Sequence, residues 1–167
     1  LGDVYKRQDK LWFLFGNQGW EYLELGRIWQ ILLLVGMIIW LFIVARALVY
    51  KLRGEESKWS LSHMLLYSAI SIPGFYGFGL LYDPSSNFAV ADFWRWFVIH
   101  LWVEGMFEFF AVVVVAYLMV TLGLVTKPSA TRSVYFTLIL VFGSGLLGTG
   151  HHYYYNGAPA IWMALGA

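Results

Sequence analysis

Apolar runs long enough to cross a bilayer, each broken by a short polar stretch, set the pattern of the chain. A hydrocarbon core of about 30 Å takes roughly 20 helical residues at ~1.5 Å rise each. Runs of that order fall at 28–50, 61–82, 93–125 and 133–153, and a short fifth begins at 159–167. Between them lie a charged loop from Lys51 to Lys58, a turn at Asp83-Pro84-Ser85-Ser86-Asn87, a loop at 126–132 and a turn at 156–159. Pro73 sits inside the second run, where its missing N–H predicts a kink. Asp92 is the predicted N-cap of the third and longest helix. Gly143, Gly145, Gly148 and Gly150 crowd the end of the fourth, where small residues permit close helix approach. The pattern predicts an all-α integral membrane bundle of about four transmembrane helices plus the start of a fifth.

The beginning of the chain departs from this pattern. Trp12 to Trp20 is aromatic but too short to span, and Glu21, Glu24 and Arg27 follow, so 9–27 is predicted to lie at the membrane interface. Residues 1–8, LGDVYKRQ, differ in character and read as a non-native leader. The whole is expected to be an internal piece of a larger membrane protein, with 28–167 forming the bundle.

Composition narrows the chemistry. The chain is 60% hydrophobic and 13% charged, as expected of a membrane protein rather than a soluble domain. A net charge of +1 gives no reason to expect nucleic acid. With no cysteine, disulfides, iron–sulfur clusters, thiolate zinc sites and a cysteine nucleophile are excluded. Lys51, Arg53 and Lys58, then Lys127 and Arg132, make alternate loops basic, which predicts that those loops are cytoplasmic.

Against this apolar background His100, Glu104 and Glu108 stand out, four residues apart and hence on one stripe of a regular helix. An ionisable group near the bilayer centre costs roughly 2.5–3.5 kcal/mol even on lenient scales, so it marks a partner and a function. The second outlier is the pair His151 and His152. His100 lies eight residues past Asp92, about 12 Å into the membrane, and His151 lies 18 past Ser133, about 27 Å in from the other side. Both sets fall in the outer half and can meet. Three imidazoles and a carboxylate suit Fe, Mn, Zn or Cu, and with an open position fit a redox-active non-haem iron. A metal-free proton path through Glu104 and Glu108 is the competing reading, and the two are compatible. His63, near the interface, reads as a hydrogen-bonded packing residue. The aromatic stripe of Trp94, Trp96, Trp102, Phe107, Phe109 and Phe110 reads as packing and interfacial belt rather than a cofactor box.

WRWFVIHLWVEGMFE at 94–108, followed by GTGHHY at 148–153, resembles the catalytic subunit of bacterial nitric oxide reductases, of the haem–copper oxidase superfamily. Oxygen-reducing members have a similar histidine spacing but typically a Tyr where this chain has Glu104. GWEYLELGRIWQ at 19–30 is more similar to the quinol-oxidising, single-chain type than to the cytochrome c-linked one. The resemblance implies that His100, His151, His152 and Glu104 bind the non-haem iron, and that Glu108 serves proton supply or site electrostatics. It implies haem b and haem b₃ in the full protein, with axial ligands outside this piece. It further implies nitric oxide as substrate, quinol as donor (cytochrome c as the alternative), and the rest of the same polypeptide and the lipid bilayer as partners. The expected location is a bacterial or archaeal cytoplasmic membrane. The alternatives are a nitric oxide-disproportionating relative or an oxygen-reducing terminal oxidase on the same scaffold, or a non-enzymatic proton or ion transporter.

Overall fold

The computed structural model describes residues 11–16, 25–54, 57–154 and 156–167. The expected leader at 1–8, and Glu21 and Glu24 of the expected interfacial segment, lie outside the described residues. Every regular element among the described residues is helical. Helix α1 spans Arg27–Arg53, α2 Leu61–Gly77, α3 Phe88–Thr121, α4 Lys127–Tyr153 and α5 Ala160–Gly166. Helices α1, α3 and α4, of 27, 34 and 27 residues, are long and apolar enough to cross a membrane. The second, at 17 residues, continues through Pro73 and ends in a 3₁₀ turn at Phe78–Leu80.

Local chemistry sets the boundaries, and two differ from the sequence expectation. Asp92 does not cap α3. The helix begins earlier, at Phe88, because the Asn87 side chain already accepts from Ala89 N at 2.9 Å. The preceding turn is tight enough to allow this: Asp83 Oδ1 accepts from Ser85 N at 2.7 Å and Ser85 Oγ at 2.6 Å. These bonds hold the Asp83 carboxyl below its ordinary pKa. Asp92 is buried instead, with its carboxylate 3.5 Å from Arg95. Likewise α4 starts at Lys127, not Ser133. Pro128 occupies its first turn, where the missing N–H leaves no intrahelical bond unmade. His63 plays the expected packing part: Ser60 Oγ caps α2 and lies 3.0 Å from His63 Nδ1.

Among the described residues the bundle has two apolar cores. Leu48, Met64, Val113 and Val134 join α1, α2, α3 and α4 toward one end. Tyr76, Tyr82, Val98 and Ile99 join the end of α2 to α3 toward the other. The basic loops gather at the first end, where Lys51 Nζ donates to Tyr117 OH at 2.7 Å and Tyr135 OH to Trp59 O at 3.0 Å. At the opposite end the buried Arg27 guanidinium donates to Gly79 O at 3.0 Å and to Tyr82 O. Only Arg27, Gln30 and Leu48 of α1 are buried, so its apolar face points outward.

Candidate metal centre

Two irregularities in helix winding build the site. In α3, Phe97–Phe107 is π-helical, a wider winding with i→i+5 bonds that recurs at functional sites. In α4, the last turn tightens into a 3₁₀ segment at Thr149–Tyr153. His100, 2% exposed, projects from the first, and His151 and His152 from the second. The predicted convergence of two crossings is therefore present: His100 Nδ1 lies 2.9 Å from His152 Nε2. One ring nitrogen from each of the three histidines falls within 4.8 Å of the others.

The remaining ring nitrogens fix the tautomers. His100 Nε2 meets Gly145 O at 2.9 Å, and His151 Nδ1 meets Gly166 O at 3.1 Å. A carbonyl only accepts, so both nitrogens carry the proton. In the neutral rings, the form that binds a metal, this leaves lone pairs on His100 Nδ1 and His151 Nε2, with His152 Nε2–H donating to His100 Nδ1. Backbone carbonyls orienting the far side of an imidazole are the usual second layer around a metal, fixing both tautomer and ring direction. A cation held by the three rings would replace the shared proton. The donor set fits iron, zinc or copper.

Glycines make the approach possible. A Cβ on Gly148 would sit 3.3 Å from His100 Nε2, and one on Gly145 would sit 3.3 Å from the Glu104 carbonyl oxygen. Helix α5 lies so close to the 3₁₀ turn that a Cβ on Gly150 would run into Trp162 O, and one on Gly166 into His151 N.

Of the four residues expected to bind metal, three converge and the fourth stays at the rim. Glu104 Oε2 is 3.5 Å from His100 Nδ1, as their shared helical stripe predicts, but its side chain is 55% exposed. Glu108, one turn further, is exposed. Trp96, read from sequence as packing, packs on His152, with centroids 3.8 Å apart and planes 13° from parallel. An apolar groove of about 390 Å³ runs beside the site, bordered by Phe97, Leu101, Leu146, Thr149 and Trp162.

The pattern of the family described as "Cytochrome C and Quinol oxidase polypeptide I" matches residues 10–167. The chain belongs to that family. Membership places it in the haem–copper oxidase superfamily of integral membrane proteins, whose members use haem and metal cofactors, and the resemblance carried by 94–108 and 148–153 is borne out. The chain is also 29% identical over 154 residues to a nitric oxide reductase polypeptide from Stutzerimonas stutzeri, a match covering 92% of this chain. The chain spans 31% of that relative's length.

Proposed function

We propose that the full protein reduces nitric oxide, 2 NO + 2 e⁻ + 2 H⁺ → N₂O + H₂O, and that this chain would supply the ligands of the non-haem iron of a haem b₃/non-haem iron centre. In this reaction an N–N bond forms, one N–O bond breaks, and the released oxygen leaves as water. The observation that carries the reading is the donor arrangement. Three imidazoles from two helices turn one nitrogen each toward a common point, and two of them are anchored from behind by backbone carbonyls. Glu104 favours nitric oxide over oxygen as substrate, since oxygen-reducing relatives resemble this chain but carry Tyr there. The nitric oxide reductase relative supports the same choice.

Iron bound here would stabilise charge developing on the nitric oxide oxygen and share in delivering electrons. The chain's own residues would do the rest. His100, held by Gly145 O, fixes the direction of the first nitrogen donor. Glu104, at the rim 3.5 Å from that imidazole, can close on the cation as a fourth donor and offset its charge. Glu108, exposed one turn along, can pass protons toward the site. The apolar groove bordered by Phe97 and Leu101 offers a neutral diatomic gas a path from the lipid. Quinol is the proposed electron donor, on the similarity at 19–30. The proposed location is the cytoplasmic membrane with the site in its outer half, consistent with the basic loops gathered at the far end of the bundle.

The test is metal content in the full-length protein. Wild type is expected to hold one non-haem iron beyond its haem iron, with His100→Ala and His152→Ala losing it and Glu104→Ala holding it at least about tenfold more weakly. Copper in place of iron, or full iron and unchanged turnover in His100→Ala, would contradict the proposal.

A further inference from the structure

His100 and His151 are each anchored by a backbone carbonyl, whereas His152 has another kind of support. Its imidazole lies flat on the Trp96 indole, 3.8 Å between centroids and 13° from parallel. Trp96 is itself braced. The Arg95 guanidinium carbon stands 5.0 Å from its ring centroid. The buried Asp92 carboxylate, 3.5 Å from Arg95, is within hydrogen-bonding reach of the Trp96 and Asn156 side chains. One turn away, Phe93 stacks on Tyr153 at 5.7 Å and 17°, gripping the residue after the histidine. Residues 92, 93, 95, 96 and 100 thus form one face of α3 that meets the 3₁₀ turn ring by ring. A 3₁₀ turn is short and poorly hydrogen-bonded, so the direction of the His152 ring needs an outside support. A charge pair buried in an apolar helix is weak as a source of stability, and a registry role is its better-attested use.

We infer that Trp96 is a positioning residue for the metal centre, setting the plane of the His152 imidazole, and that the Asp92–Arg95 pair serves to hold the Trp96 indole in register. The inference rests on the reading of the three histidines as iron ligands. It assigns Trp96 no contact with substrate.

The test is ferrous iron itself, rebound to the chelator-stripped full-length protein, with its release to a colorimetric chelator timed. Trp96→Leu, which removes the stack, is expected to release iron about fivefold faster than wild type, in line with the strength of one aromatic pair. Trp96→Phe keeps a flat ring and is expected to stay within about twofold of wild type. Asp92→Asn is expected to speed release where residue 96 is Trp, but to add nothing in the Trp96→Phe background, since phenyl has no N–H for the carboxylate to hold. Release from Trp96→Leu at the wild-type rate, or equal acceleration in the Leu and Phe variants, would overturn the stacking role. If Trp96→Leu fails to accumulate, the Asp92→Asn pair decides: an equal effect in both backgrounds overturns the inference. Wild type that rebinds no iron would overturn the metal reading and this inference with it. Wild type that binds iron while all variants match it overturns the inference alone.

Discussion

At the scale of single residues, the three histidines differ in how each is held, and that difference orders their expected sensitivities. His100 is buried and bonded on both ring nitrogens, to Gly145 O and to His152. Gly145 O keeps its bonds from Thr149 N and Oγ1, but removing the buried imidazole opens a cavity between α3 and α4, a cost of roughly 2–5 kcal/mol for a large-to-small change, in addition to the lost ligand. Hence His100→Ala is expected to lower the thermal midpoint of the stripped protein as well as abolish iron binding. Glu104→Ala is expected to leave the midpoint of the stripped protein near wild type, because its exposed carboxylate supports little of the fold. Parallel melting curves of the two variants check this, and equal destabilisation by both would contradict it. The identities of these residues were legible in the sequence, since ionisable groups in an apolar run are costly enough to announce themselves. The exposure of Glu104 was not, because a helical stripe sets the direction of a side chain and not how much of it the neighbouring helices cover.

At the scale of elements, the site depends on two departures from regular winding and on glycines facing the neighbouring helix. Nothing in 97–107 announces a π segment by composition, since propensities describe α-helix against coil rather than one helical winding against another. The glycines were legible as a close-approach signal, though not which of them the site uses. Gly148 faces His100, whereas nothing lies within 4 Å of a Cβ placed on Gly143. Gly148→Ala is therefore expected to displace the His100 ring and weaken iron retention about tenfold, a change of ~1.4 kcal/mol, within the usual cost of overpacking. Gly143→Ala is expected to hold iron normally and to gain up to about 1 kcal/mol of helix stability. Iron retention and melting measured on both variants decide the matter, and normal iron in Gly148→Ala would contradict the packing argument. The early starts of α3 and α4 have local causes that sequence reasoning passed over. Asn87 capped before Asp92 could, and Pro128 suited a first turn better than a loop.

At the scale of the whole molecule, the bundle carries its basic loops at one end, with Arg27 and the histidine cluster toward the other. Single cysteines placed in these loops, in a full-length protein whose other accessible cysteines are replaced, test this topology directly. In intact cells a membrane-impermeant thiol reagent is expected to label Ser85→Cys but not Lys58→Cys, and the reverse pattern would invert the orientation. The bundle architecture was readable because each span repeats the same solvent constraint along the chain. The meeting of His100 with His152 was readable only as matched depth. Matched depth depends on helical rise alone, which a change of winding alters little over so few residues. The central claim is that these imidazoles hold one iron atom, and iron-edge anomalous scattering from crystals of the full-length protein tests it most directly. The expected result is a peak, separate from any haem, bounded by His100 Nδ1, His151 Nε2 and the His152 ring; no such peak, with the three rings turned apart, would contradict the account.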